Sequence, residues 1–172
     1  MAAIAVGVGD HVCAIRADGS LWCWGDNRLG ETGQSPASAQ CRGDGCTTAP
    51  ARVANLPSVR AVGLGTYHSC ALTDSDQVFC WGYNGDGELG HDFAADPREK
   101  VSGYPYSSTP SLIDLPPVES LAVGELHACA VLKDGSVRCW GQAYLGQLAT
   151  DQVIGGPDGG LLMSYVPLPV DL

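Results

Sequence analysis

The chain has 172 residues, with 23 Gly, 11 Pro and 8 Cys against only 2 Phe and 9 Lys+Arg, a length suited to one compact domain. Its formal net charge of −10 repels phosphate backbones and anionic lipid, which argues against nucleic acid and membrane surfaces as partners. Abundant Gly and Pro between short apolar runs predict many brief strands joined by tight turns, an all-β protein, and no apolar run approaches the about 20 residues that a membrane helix needs.

The N-terminal stretch MAAIAVGVGDH lacks a basic region and a cleavage site and reads as a strand of the fold. The eight cysteines, an even number at regular spacing, point to an oxidising compartment: secreted, cell-surface or periplasmic. A secreted chain without a signal peptide implies a mature or excised form.

From Gly9 the sequence runs GDHVCAIRADGSLWCWGDNRLGETG, which predicts a β-hairpin. Cys13 and Cys23 stand directly opposite each other if the loop is Ala17-Asp18-Gly19, with Gly19 in the left-handed position. Period-two alternation places His11, Cys13, Ile15, Leu21 and Cys23 on one face, and Val12, Ala14, Trp22 and Trp24 on the other. Both faces are largely apolar, as expected of a sheet covered on both sides. The insertion QSPASAQCRGDGCTTA follows, then the proline-led apolar tail PARVANLP.

The same unit returns twice. TYHSCALTDSDQVFCWGYNGDGELG starts at Thr66 and ELHACAVLKDGSVRCWGQAYLGQLA at Glu125. His68 and His127 match His11, Cys70 and Cys80 match the first pair, and so do Cys129 and Cys139. Gly135 takes the left-handed turn position in the third unit and Asp76 in the second, a residue that tolerates it better than most. The tails TPSLIDLP and VPLPVDL close these units. Three units, roughly 1–57, 58–116 and 117–172, fill the chain as a single repeat domain.

The shared pattern G-x-x-H-x-C-A-[LIV]-x-x-[DS]-[GD]-x-[LV]-x-C-W-G-x-N-x-x-G-[QE]-L-G resembles the regulator of chromosome condensation repeat, a β-propeller family, over nearly the whole chain. It is most similar to the cysteine-paired version found in secreted bacterial proteins. The resemblance implies three consecutive four-stranded blades around an axis. Closed propellers have about 4–8 blades, so the expectation is a partial propeller: a piece of a longer one, or one completed by homo-oligomers that join head to tail into a ring or filament. The family's nuclear exchange-factor role fits a stapled, acidic chain badly, and the Gly-Trp-Arg-His-Thr motif of its plant photoreceptor is absent. Inhibition of secreted hydrolases by a bacterial propeller is nearer in compartment.

The paired cysteines predict cross-strand disulfides Cys13–Cys23, Cys70–Cys80 and Cys129–Cys139, with Cys41–Cys46 a fourth. Zinc ligation is disfavoured, because nine-residue gaps do not supply its short spacing. The recurring histidines read as structural, each ring satisfying a backbone group of a turn. His91 lies outside the repeat with no evident partner. NGDGELGHD, with Asn84, Asp86 and Glu88 at alternate positions, resembles part of a calcium loop. Asn27, Gly30, Glu31 and Gly33 match it in the first unit, which favours a turn. No nucleophile elbow, phosphate loop or catalytic carboxylate pair occurs, so no enzyme activity and no cofactor or metal is expected.

The insertions are the candidate binding loops, because variable loops on a rigid repeat scaffold are where recognition concentrates. They carry Arg42, Gly43 and Asp44 in the first, and Phe93, Tyr104 and Tyr106 in the second. Arg42-Gly43-Asp44 spells a tripeptide that adhesive proteins show to receptors, and its glycines equally suit a tight turn. Two functional expectations stand side by side. One is an extracellular module binding a protein or glycan through these loops; the other is a structural subunit that assembles through its open blade faces.

Overall fold

The computed structural model describes residues 3–36, 40–41, 44–91, 99–101, 103–155 and 162–172, with backbone alone at 40, 41, 44, 99–101, 104, 154 and 155. One antiparallel sheet forms per repeat. The first contains β1 (Ala3–Val6), β2 (His11–Ile15), β3 (Leu21–Asp26), β4 (Gln40–Cys41) and β5 (Asp44–Arg52). The second contains β6 (Val59–Leu64), β7 (His68–Thr73), β8 (Val78–Tyr83), β9 (Glu99–Val101) and β10 (Tyr104–Leu112). The third contains β11 (Val118–Val123), β12 (His127–Leu132), β13 (Val137–Gln142), β14 (Ile154–Gly155) and β15 (Leu162–Val170). Strand order in the first sheet is β1-β2-β3-β5-β4, and the other two repeat it.

Four strands of each sheet make the expected blade. The fifth is a difference from the sequence reading, which treats the insertions as loops. β4, β9 and β14 lie inside the insertions and pair with the first residues of β5, β10 and β15. The outer strand would otherwise leave a row of N–H and C=O groups unpaired, and the returning insertion covers part of it.

The hairpins follow the turn chemistry. Cys13 faces Cys23, Cys70 faces Cys80 and Cys129 faces Cys139, and each pair is a disulfide with a Cα–Cα distance of 4.1 Å. Cys46 is also disulfide-bonded; the side chain of its expected partner Cys41 lies outside the described residues. Gly19, Asp76 and Gly135 hold φ of 76°, 63° and 87°. The glycine after each tryptophan has a different cause. Gly25, Gly82 and Gly141 hold φ of 103°, 102° and 96°, and a Cβ there would collide with the carbonyl oxygen of Asp10, Tyr67 or Leu126. Those carbonyls accept the N–H of Asp26, Tyr83 and Gln142 at 3.0, 2.8 and 2.9 Å. The pairing of the third strand with the outer strand shifts register at this point in all three blades.

The core lies between blades. Cys13, Ile15, Leu21 and Cys23 of the first meet Val59, Leu64, Ala71 and Trp81 of the second. Cys70, Leu72, Val78, Cys80 and Leu89 of the second meet Ala128, Ala130, Leu132 and Trp140 of the third. Each blade therefore lays its cysteine face on the tryptophan face of the next. The second strands record this directly. Every residue of β7 is buried, whereas β2 buries His11, Cys13 and Ile15 and leaves Val12 and Ala14 half-buried. In β12 the alternation inverts: Ala128, Ala130 and Leu132 are buried, and Val131 is 38% exposed.

Candidate functional site: blade joints, open faces and the insertion edge

Each joint is built from the loop that follows Trp-Gly. Asn27 closes that loop in the first blade, its Oδ1 accepting the Thr32 N–H at 3.0 Å and its Nδ2 donating to Gln34 O at 3.0 Å. Asn84 does the same with Leu89 N–H at 2.9 Å and His91 O at 3.1 Å. A glutamate then turns back into its own loop: Glu31 Oε2 accepts the Leu29 N–H at 2.8 Å and Glu88 Oε2 the Asp86 N–H at 2.9 Å. In the third blade Gln147 Oε1 accepts the Leu145 N–H at 2.7 Å. Asn84 Oδ1 and Glu88 Oε2 are thus engaged with the loop's own backbone.

The loop so fixed presents a backbone carbonyl to the next blade. Trp81 Nε1–H donates to Glu31 O at 2.9 Å, and Trp140 Nε1–H to Glu88 O at 3.0 Å. Both tryptophans are 0% exposed. Ser69 Oγ adds a second donor to Glu31 O at 2.8 Å. Arg60 ties the second blade to the third, donating to Val118 O and Glu119 O at 2.9 and 3.0 Å while pairing with Asp76 at 3.1 Å.

Burial governs the charges here. It pushes the Glu31 carboxyl up to about 7, against the opposing pull of the backbone N–H groups it accepts, and raises Glu88 well above the usual carboxylate range. One carboxyl oxygen of each has no hydrogen-bond partner among the described residues, and the third blade places a neutral Gln147 in the same role. His68 is pushed down to about 3 by burial, then by repulsion from His11 and His127. The histidine reading holds at His11, whose Nδ1 bonds Gly9 O at 2.6 Å and whose Nε2 bonds Ser69 Oγ at 3.0 Å. It does not hold at His68, which is fully buried and whose ring nitrogens have no hydrogen-bond partner among the described residues. His91, without a partner evident in sequence, bonds Ser111 Oγ at 2.9 Å.

Among the described residues two faces are uncovered, one on the first blade and one on the third. On the first blade Trp24 is only half-buried, beside a cavity of about 540 Å³ lined by Asp10, Trp24, Asp26, Arg28, Thr47 and Thr48. On the third blade the loop that would present a carbonyl onward exposes Tyr144 and Leu145, at 55% and 80%.

The insertions leave the strand ends opposite the hairpin turns. They return at matched register points, with Cys46 opposite Asp26, Tyr106 opposite Tyr83 and Met163 opposite Gln142. All three therefore emerge along one edge. Of the candidate binding residues, Asp44 pairs with Cys41 through the backbone of β4–β5, and Tyr104 pairs with Val101. Arg42, Gly43 and Phe93 lie outside the described residues. Tyr106 sits within β10 and is 8% exposed. The joint residues Glu31, Glu88, Trp81 and Trp140 were missed as a set. Their signal was the Gln at 147 where the other units have Glu.

The family described as Regulator of chromosome condensation (RCC1) repeat matches residues 2–31, 59–88 and 118–147, and in a second form residues 18–72 and 75–131. Protein pim1 of Schizosaccharomyces pombe is 30% identical over 155 residues, 88% of this chain and 26% of that protein. The mitochondrial RCC1 domain-containing protein RUG3 of Arabidopsis thaliana is 30% identical over 147 residues, 84% of this chain and 31% of that protein. The chain thus spans between a quarter and a third of the length of these relatives. Among solved structures, Prp20p from Saccharomyces cerevisiae matches with a TM-score of 0.80 at 24% identity, over 99% of this chain and 38% of that one. Human WBSCR16 matches with a TM-score of 0.71 at 24% identity, over 99% and 39%. With both the repeat pattern and the blade architecture in place, this chain belongs to the regulator of chromosome condensation (RCC1) repeat family.

Proposed function

We propose that the chain is a non-enzymatic scaffold that binds a protein or glycan outside the cell through its insertions. The observation that carries this reading is the common edge: three insertions of unrelated sequence enter and leave at matched register points on stapled blades. Such an edge offers a composite surface on a rigid base. The disulfides support an oxidising compartment. A protein partner accords with similar structures, one of which concerns Prp20p and its binding to Gsp1p and histones and another Kap60 bound to yeast RCC1. A photo-cross-linking residue at 44 or 100, with a control at Asp134 in the opposite hairpin turn, tests the reading. A partner captured from 44 and 100 but not from 134 supports it. Capture from 134 alone overturns it.

A second reading has its own observation. The inverted burial of β2 and β12 leaves a tryptophan face open at one end and a cysteine face at the other, which supports assembly of copies through the blade faces.

A further inference from the structure

We propose that the cavity beside Trp24 is the socket for the Ala143–Leu148 loop of a second copy of this chain, joined head to tail. This rests on the assembly reading and specifies its contact. The chain uses one joint twice. In both uses a tryptophan indole N–H reaches the carbonyl of the residue after a left-handed glycine: Trp81 to Glu31 after Gly30, and Trp140 to Glu88 after Gly87. That glycine lies against the outer strand of the next blade, because a Cβ at Gly30 would meet Ser108 and one at Gly87 would meet Ser164 and Tyr165.

Both halves of a third such joint are present and unused. Trp24 occupies the position of Trp81 and Trp140, and its indole N–H makes no hydrogen bond among the described residues. Thr48 occupies the position of Ser108 and Tyr165 and lines the cavity. At the other end Gly146 has φ of 78°, matching 80° at Gly30 and 85° at Gly87, yet nothing lies within 4 Å of where its Cβ would be. The loop is already set for docking by the Gln147 side chain on the Leu145 N–H. Tyr144 and Leu145, both more than half exposed, are the apolar surface the cavity would cover.

One position departs from the template. Ala149 stands where Gly33 and Gly90 pass the tryptophan, and keeps their left-handed backbone with φ of 49°. A Cβ at Gly33 would lie 3.4 Å from Trp81 Nε1, a contact that a shift of tenths of an ångström accommodates. The joint is heterologous, so each copy offers one socket and one loop, and association closes a ring or extends a filament.

The test compares the full chain with Trp24→Ala, which removes the socket, and Leu145→Arg, which blocks the loop at an exposed site that leaves the fold intact. Sedimentation velocity from micromolar to sub-millimolar concentration reads association, and circular dichroism with thermal melting checks folding. Each variant alone is expected to associate roughly thirtyfold more weakly or worse. Mixed, the two form a dimer and nothing larger, because the intact loop of Trp24→Ala enters the intact socket of Leu145→Arg. A wild type that stays monomeric throughout overturns the assembly reading and this joint with it. A wild type that associates while both folded variants match it leaves assembly standing and overturns this joint. Failure of the mixture to form a dimer, with both variants monomeric, likewise overturns the head-to-tail contact.

Discussion

Glu31 shows how burial changes the meaning of a residue. In sequence it is an acidic group beside a turn; in the structure its carboxyl is pushed up to about 7 and accepts the N–H of Leu29 as an amide would. A carboxyl whose folded value lies above its ordinary 4.5 contributes stability that is complete below pH 4.5 and lost as pH rises through about 7. His68 acts in the opposite direction. Its folded value near 3 lies below the ordinary 6.5, so its contribution is present above pH 6.5 and lost as pH falls toward 3. For these two groups together, stability is level between pH 4.5 and 6.5 and declines on either side. Glu31→Gln is expected to remove the Glu31 share of the loss with rising pH, on the order of 3 kcal/mol summed from pH 4.5 to above 7, and to leave that of Glu88 in place, as urea titrations of variant and wild type across pH would read. An alkaline limb unchanged in the variant would show that Glu31 ionises freely in the folded chain. The burial was not legible, because it comes from the blade stacked above the loop.

At the scale of the element, the hairpin, its staple and its joint each make a separable prediction. Replacing Cys70 and Cys80 together by Ala is expected to cost roughly 2–3 kcal/mol from the loop that the disulfide closes, measured by denaturant unfolding. Gly82→Ala places a Cβ against the Tyr67 carbonyl at a left-handed φ of 102°. Its expected cost is about 2 kcal/mol or more, whereas Gly135→Ala, with open space around it, is limited to about 1 kcal/mol of backbone strain. The two joints differ as well. Trp81→Phe leaves Glu31 O with the Ser69 hydroxyl, but Ala128 stands at the Ser69 position in the third blade, so Trp140→Phe leaves Glu88 O without that donor. The expected losses are about 1 and about 2 kcal/mol; equal losses would mean that water replaces the indole at both joints. Cysteine spacing, turn residues and facing pairs were legible here, since all depend on contacts within one hairpin. The short strands β4, β9 and β14 were not: two- and three-residue strands carry no period for a reader to find.

For the whole molecule, stability is a sum over blades and the joints between them. Removing residues 117–172 uncovers the face formed by Cys70, Leu72, Leu89 and Ile113, which the third blade otherwise buries. The truncated chain is expected to melt lower and to bind a hydrophobic dye, as calorimetry and dye fluorescence would report. An unchanged transition would mean that the blades fold independently. The same additive logic makes the end blades different from the middle one despite their shared sequence pattern. Trp24, Trp81 and Trp140 are one residue type at one repeat position, and only the last two are sealed.

The sequence by itself determined the repeat, the pairing of cysteines across each hairpin, the left-handed turn positions and the apolar character of both sheet faces. All of these are local in the chain, written in spacings of a few residues. The tertiary structure decided which face each blade gives to its neighbour, that Glu31 and Glu88 are buried at the joints, and that one tryptophan face and one loop stay uncovered among the described residues. These depend on a blade some 50 residues away in sequence. Periodicity within a strand marks a face as apolar, but only the stacking of one sheet on another determines whether that face is covered.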